Sequence, residues 1–274
     1  MELQYMGTGA AEGIPATFCT CRVCREAAGR GGREIRTRSQ ALLDGKILFD
    51  FPPDAYAHYL AYRFDLPAIE HVLVTHSHMD HFFPQEFELR SKGFVPTPLP
   101  LLHIYGNDKV EQALLAALPQ RDEERHRLRF HRLRPFERID AGGYAVTPLL
   151  AKHDPTEQCL FYLVEQGDRA LLYAHDTGIF PAETWDYLDS AKPRLGLVSL
   201  DCTTAAFKDG NNHMGLPDVV QVRERLLKMG LAGETTVFTL NHFSHNGGLN
   251  HRELSEKAQG MGFAAAWDGF IATC

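Results

Sequence analysis

The stretch His71-Val-Leu-Val-Thr-His-Ser-His-Met-Asp-His81 decides how this chain is read. Its first half is apolar and rich in β-branched residues, so it reads as a buried strand over 71–75. Its second half places His76, His78, Asp80 and His81 within six positions. Residues two apart on an extended chain point the same way, so His76 and His78 converge as the strand ends. A turn then carries Asp80 and His81 to the other side of the same cavity. Imidazole and carboxylate groups suit zinc, manganese or iron. Four of them exceed what one ion takes from one loop, so the spacing points to two metals sharing it.

The remaining ligands must come from further along the chain. His153 follows the run Val146–Lys152, Asp176 follows Leu171–His175, and His242 follows Val237–Asn241. Each stands where a strand empties into a loop, the place where sites gather in α/β architectures. His175 competes with its neighbour, but Asp176 is preferred because a carboxylate bridges two ions. A second cluster, Cys19, Cys21 and Cys24, puts three thiols in six residues beside glycine-rich chain. That arrangement suits a tetrahedral structural zinc whose fourth ligand is not local. Cys159, Cys202 and Cys274 read as small apolar fillers or an incidental terminal thiol.

Composition bounds the rest. The chain has 274 residues, 44% hydrophobic and 23% charged, which excludes disorder, collagen and coiled coil as the main architecture. Its net charge of −7 makes a broadly basic nucleic-acid face an unexpected feature. No apolar run approaches the roughly 20 residues that span a bilayer. The start, Met1–Gly13, lacks the basic and apolar regions of a signal peptide. The expectation is a cytoplasmic chain with no membrane partner, organised as one unit over 1–274. Strand-like runs fall at 3–6, 40–43, 46–49, 71–75, 101–105, 144–149, 160–164, 170–174, 195–200, 235–240 and 263–267. Helix-like stretches fall at 54–63, 108–118, 182–189, 218–229 and 252–260. Asp44-Gly45 between two apolar runs is a hairpin signal. Paired strands followed by strands alternating with helices predict an α/β layered protein.

With these residues in place, the HxHxDH segment His76–His81 resembles the metallo-β-lactamase superfamily. That resemblance implies a four-layer αββα sandwich with a dinuclear site. It implies that His76, His78 and His153 hold one divalent ion and Asp80, His81 and His242 the other, with Asp176 bridging. A finer resemblance is to the PhnP-type phosphodiesterases, which open 5-phosphoribosyl 1,2-cyclic phosphate. Three segments carry it: Gly7–Pro15 leading into the cysteines, Leu200-Asp201-Cys202 followed by Asn212-His213, and Asn241–His245. It nominates His245 as the fourth zinc ligand and His213 as the general acid, with Asp80 essential to catalysis. The implied cofactors are two divalent ions, zinc or manganese, and one structural zinc. The implied partner is a small phosphorylated substrate, with a homodimer admissible. An RNase Z-like nuclease, a PqqB-like biosynthetic protein and a non-catalytic zinc-binding protein are the alternatives. Asn241 stands where the family carries threonine.

Four weaker expectations complete the reading. Asp201 ends a strand and is placed to orient a ligand histidine. Asp50 ends another and is placed to line the site. One of Arg30, Arg33, Arg36 and Arg38 is expected to reach the substrate phosphate. The stretch Arg121–Arg138, with seven arginines, reads as a solvated face in preference to an RNA exosite, because Asp122, Glu123, Glu124 and Glu137 dilute it.

Overall fold

The computed structural model describes residues 1–119 and 123–274. In chain order the first half supplies β1 (Glu2–Gly7), β2 (Gln40–Leu43), β3 (Ile47–Phe49), β4 (His71–Leu73), β5 (Leu102–Gly106) and β6 (Leu128–Arg132). The second supplies β7 (Ile139–Ala141), β8 (Tyr144–Leu150), β9 (Leu160–Gln166), β10 (Arg169–Ala174), β11 (Leu195–Asp201), β12 (Val237–Asn241) and β13 (Ala264–Ala265). The last strand, β14 (Ile271–Thr273), returns to pair with β1. Two sheets result, ordered β14-β1-β2-β3-β4-β5-β6 and β13-β12-β11-β10-β9-β8-β7.

The two sheets follow one plan. β14 through β3 pair antiparallel and β3 through β6 pair parallel. β7 through β10 pair antiparallel and β10 through β13 pair parallel. The β2–β3 joint is tight: Asp44 and Gly45 both take positive φ, 48° and 67°, as a two-residue hairpin turn needs. The parallel joints need crossovers, and helices supply most of them. These are α2 (Ala55–Tyr62), α3 (Asp108–Ala117) with α4 (Glu123–His126), α5 (Ala182–Ala191), α6 (Leu216–Lys228) and α7 (His251–Gly260). α1 (Arg22–Arg30) lies between β1 and β2.

Strand side chains alternate between two cores, which makes the layers. Leu171 and Tyr173 face the other sheet, among Leu3, Tyr5, Ile47 and Phe49. Leu172 and Ala174 face outward onto Trp185, Leu188, Val219, Val222, Leu226 and Leu254 of the helices. On the first sheet, Leu43 and Phe49 point inward while Leu42 and Leu48 meet Ala55, Val110 and Leu114. Strands buried on both faces read as continuous apolar runs, and these do. The architecture is the αββα sandwich expected from the sequence.

Five of these strands and helices escaped the sequence reading, the short α4 and β14 among them. α1 is short, contains Gly29 and begins at Cys21, whose thiol accepts from the Cys24 N–H as its cap. β6 is Leu-Arg-Phe-His-Arg, a true alternation masked by its charges. β7 has only three residues and gains its definition from pairing with β8. No helix among the described residues is long and apolar enough to cross a membrane.

Candidate metal centre

The candidate ligands gather at the carboxyl ends of strands. β4 runs into His76–His81, β8 into His153, β10 into Asp176 and β12 into His242. Asp176 and His242 both sit at positive φ, 51° and 61°, so the chain turns sharply as each strand ends. That turn sets Asp176 against its neighbour. His175 keeps the strand direction and is buried between the sheets, with Nε2 2.6 Å from Ser199 Oγ and its ring on Tyr173. Asp176 faces the site.

The ligand atoms form two cradles that share one oxygen. In the first, His76 Nε2 lies 2.9 Å from His78 Nδ1, and His78 Nδ1 lies 3.3 Å from His153 Nε2. His76 Nε2 and His153 Nε2 are each 3.3 Å from Asp176 Oδ2. In the second, His81 Nε2 lies 3.2 Å from Asp80 Oδ2, 3.1 Å from Asp176 Oδ2 and 3.1 Å from His242 Nε2. His242 Nε2 is 3.8 Å from Asp80 Oδ2 and 3.7 Å from Asp176 Oδ2. A tetrahedral ion with bonds of about 2.0–2.1 Å needs ligand atoms about 3.3 Å apart. Both cradles have that scale.

The outer nitrogen of every imidazole is already engaged. His81 Nδ1 donates to Asp50 Oδ2 at 2.8 Å, and His78 Nε2 to Asp154 Oδ2 at 3.1 Å. His153 Nδ1 donates to Asn212 O at 3.2 Å. His76 Nδ1 donates to Thr75 Oγ1 at 3.0 Å, which donates onward to Asp50. His242 Nδ1 donates to Thr203 Oγ1 at 2.8 Å, which donates onward to Asp201 at 2.8 Å. These partners fix each ring and leave a lone pair aimed inward. Lone pairs facing each other near 3 Å repel unless a proton or a cation lies between them. The residues fit a divalent cation in each cradle.

Charge tells the same story. Burial brings the pKa of His76 down to about 3, so it favours the neutral, ligating form. At His81 desolvation opposes charge, but Asp80 and Asp50 overcome it and raise the pKa. At His242 desolvation is likewise overcome, by Asp176 and Asp80. The second cradle therefore holds an excess of carboxylate that demands positive charge. Asp50 and Asp201 are behind the ligands, where they orient histidines, and Asp50 does not itself line the cleft.

His213 sits beside the shared carboxylate. Its Nδ1 is 2.9 Å from Asp176 Oδ1 and 3.5 Å from Asp201 Oδ2, and its ring lines the cleft. Desolvation works against its charge, but Asp176 and Asp201 push its pKa up to about 11. The cleft measures about 460 Å³ and is also lined by Glu12, Thr203, Phe207 and Asn246. No lysine or arginine lines it among the described residues.

The cysteine cluster forms a third constellation. Cys19 Sγ and Cys21 Sγ are each 3.5 Å from His245 Nδ1, and Cys24 Sγ completes the group. Backbone N–H groups of Cys21, Cys24 and Ala16 point at the three sulfurs, at 3.4, 3.5 and 3.3 Å. Against the desolvation that opposes ionisation, the Cys24 N–H and His245 bring Cys21 down to about 6. Burial pushes Cys24 up to about 12. Four donors at this spacing suit zinc with no open position. Cys159 and Cys202 are buried away from the cluster and pack as small apolar groups.

The arginine expectation fails. Arg30 pairs with Glu26 and Glu34, and Arg38 with Asp54. Arg33 lies over Trp267 at 3.8 Å. Arg36 is buried, donating to Thr8 and Ala266 O and meeting His251 at 2.9 Å. Arg33, Arg36 and Arg38 tie the N-terminal segment to its neighbours, Arg30 pairs within it, and none of the four lines the cleft. In the arginine-rich stretch, Arg121 lies outside the described residues. Arg125, Arg129, Arg132, Arg134 and Arg138 pair with Glu88, Glu123, Glu111, Glu137 and Glu165. Arg127 donates to Leu99 O. Among the described residues of that stretch, five of the six arginines face a carboxylate.

Thr75, Thr203, Asp154 and Asn212 were not singled out for the roles they hold. Thr75 and Asp154 adjoin ligands, which was the available signal. Thr203 becomes relevant only where β11 lies beside β12.

Comparison with known proteins agrees with this geometry. A crystal structure described as a new diphosphatase from the PhnP family superposes with a TM-score of 0.74 at 23% identity, covering 99% of this chain and 96% of that one. Zinc-bound PqqB from Methylobacterium extorquens gives 0.71 at 16% identity, covering all of both chains. Ribonuclease Z of Shouchella clausii (strain KSM-K16) is 29% identical over 170 residues, 61% of this chain and 49% of that protein. The chain spans half or less of the curated relatives it matches. The beta-lactamase superfamily domain matches residues 46–243, a stretch that holds every His and Asp of the two cradles. With that match, the sandwich and its paired cradles, the chain belongs to the metallo-β-lactamase superfamily.

Proposed function

We propose that this chain is a dinuclear, divalent-metal-dependent hydrolase of small phosphodiesters, opening a cyclic ribose phosphate. The substrate nominated by the sequence resemblance is 5-phosphoribosyl 1,2-cyclic phosphate. The observation that carries the reading is Asp176 Oδ2, within 3.3 Å of ligand nitrogens in one cradle and 3.1 Å of one in the other. A single oxygen shared in this way suits a pair of ions and not one. Zinc and manganese both fit the His/Asp set, and the thiolate cluster selects zinc.

Bound there, two divalent ions supply Lewis acidity: they lower the pKa of a water and offset the charge of a phosphate in the transition state. The chain's residues do the rest. Asp50, Asp154, Asn212, Thr75 and Thr203 hold the five imidazoles so that their lone pairs face inward. Asp176 and Asp201 face His213 Nδ1 and favour a proton there. That ring lines the cleft, where it can protonate a leaving alkoxide. The Cys19, Cys21, Cys24 and His245 cluster anchors the N-terminal loop three residues after His242, so its role is structural.

The absence of lysine and arginine from the cleft lining among the described residues, and the carboxylate partners of five of the six described arginines in 121–138, favour a small substrate over RNA. The test is phosphorus NMR of 5-phosphoribosyl 1,2-cyclic phosphate with manganese- or zinc-loaded protein. Opening to a phosphomonoester by wild type and not by Asp80→Ala supports the proposal. No opening with either metal, or equal turnover by Asp80→Ala, rejects it.

A further inference from the structure

We infer that the chain carries a second binding site, for an apolar monocarboxylate, with an acyl chain in a pocket outside the first sheet and its carboxylate on Arg90. The site shares no lining residue with the metal cleft, so its test is independent of the phosphodiesterase reading.

The pocket has a volume of about 420 Å³, within the range of about 300–1,000 Å³ in which small molecules bind. Its floor is the outer face of the first sheet, where β3, β4 and β5 present Leu48, Val72 and Leu102. Its walls are α2 and the short helix Pro84–Arg90. A further wall comes from Val95-Pro-Thr-Pro-Leu99. There Val95, Thr97 and Leu99 line the pocket, and the two prolines between them restrict its backbone. Thirteen of the sixteen lining residues are apolar or aromatic, and the others are Glu86, Arg90 and Thr97. Single exposed apolar side chains are ordinary on a protein surface. Here Tyr56 and Leu89, 61% and 47% exposed, line the same hollow.

Arg90 supplies the polar end. Its Nε donates to His126 O at 3.2 Å, and its Nη2 to Pro100 O at 2.8 Å and Arg127 O at 3.1 Å. Three carbonyls fix the guanidinium, but none carries a charge to offset it. Among the described residues Arg90 pairs with no carboxylate, and its Nη1 makes no hydrogen bond. Burial, helped by Arg127, brings its pKa down to about 10, so it is charged at neutral pH. Arg90 also lines the adjoining groove, with Lys92, Glu124, Arg125 and Arg127. Arg125 is engaged by Glu88, which leaves Arg90, Lys92 and Arg127 facing one carboxylate there. The end of the pocket at Arg90 is therefore cationic. A purely apolar guest would leave that guanidinium without an anion, and a sugar or free phosphate would leave the apolar walls uncovered. A guest with an apolar body and one anionic end meets both. Glu86 is the opposite charge in the lining, and it is the group that a cationic amphiphile would select.

The experiment is calorimetry on metal-loaded protein with decanoate, decylamine and acetate, beside sedimentation velocity of the free chain. Wild type should bind one decanoate per chain with a sub-millimolar Kd. Decylamine should bind at least about tenfold more weakly, and acetate should not saturate. Arg90→Gln should weaken decanoate about tenfold and remove its advantage over decylamine. Leu89→Asp, at an exposed position, should weaken decanoate at least as much, with wild-type metal content and Tm. If Arg90→Gln does not fold, Leu89→Asp and the preference among the three probes decide. No saturable decanoate binding, decylamine binding as tightly as decanoate, or an affinity that Leu89→Asp leaves unchanged overturns the inference. So does a dimer that takes up no decanoate and that Leu89→Asp converts to monomer, since a second copy of the chain then covers the pocket.

Discussion

Replacing Asp50 by asparagine separates the two cradles. Asp50 is fully buried, and its carboxylate takes three donors: the Thr75 N–H at 2.8 Å, the Thr75 hydroxyl at 3.0 Å and His81 Nδ1 at 2.8 Å. Its φ of +63° lies in the left-handed region, where asparagine sits as readily as aspartate, so the substitution spares the backbone. It also keeps the volume. What changes is one acceptor and the charge. Both Thr75 donors converge on Oδ1, so the amide oxygen stays with them and the amide NH2 faces His81 Nδ1. Two donors then oppose each other. The imidazole must tilt or move its proton to Nε2, the atom that looks into the second cradle. Losing such an outer partner costs about 10–100-fold in metal affinity, which is about 1.4–2.8 kcal/mol. His76 leans on Asp50 only through Thr75, so the first cradle should weaken less. Competition with a chromogenic chelator on demetallated protein resolves the two ions. The expected result is one binding step weakened 10–100-fold, the other shifted less, and the thiolate zinc unchanged. If Asp50→Asn binds both ions within twofold of wild type, Asp50 does not orient His81 and the reasoning is wrong.

Other outcomes follow from single contacts. His58 is buried with its ring nitrogens 2.7 Å from Gln40 Oε1 and Thr37 Oγ1. Burial lowers its pKa from 6.5 to about 4, with Asp54 pulling the other way. The unfolded chain takes up that proton below pH 6.5 and the folded chain refuses it until about pH 4, so stability falls as pH drops through this window. The full effect is about 3 kcal/mol, and about 2 kcal/mol is reached by pH 5. Urea unfolding of metal-free wild type and His58→Gln at pH 7.5 and 5 should show the variant losing about 2 kcal/mol less on acidification; equal losses would reject the assignment. Cys21→Ala should release the thiolate zinc and cost about 2 kcal/mol or more, lowering Tm by about 4–8 °C, with the two cradles still loading metal. Retained zinc by elemental analysis would count against the site. A Cβ at Gly178 would lie 1.9 Å from Asn211 O, so Gly178→Ala must displace the loop that carries His213. A 1 Å misplacement can cost about 100-fold, so kcat should fall steeply with metal content intact; wild-type kcat would show that His213 position is not critical.

Much of the fold was legible because the strands advertise themselves. The hairpin at Asp44-Gly45 and the apolar runs of β8 to β12 are local patterns, and the structure places strands there within a few residues. The runs that failed were those whose pattern was short or overwritten. β6 alternates but carries arginines, and α1 hides behind a cysteine motif. The pairing of β14 with β1, from the two ends of the chain, has no local signature at all.

The sequence by itself determined the types and order of the candidate ligands. Residues two apart at the end of a strand must point together, and three thiols in six residues must lie close, whatever the rest of the chain does. Tertiary structure decided everything that depends on register between distant segments. It turned Asp176 toward the cleft and left His175 between the sheets. It brought Asp50 to His81 across 31 positions and Thr203 to His242 across 39. It also used the arginines near the cysteine loop as struts, where a sequence could offer them only as charges. The physical reason is reach: a motif constrains side chains within a turn or a strand, while hydrogen-bond partners are chosen by which strand ends the two sheets bring side by side.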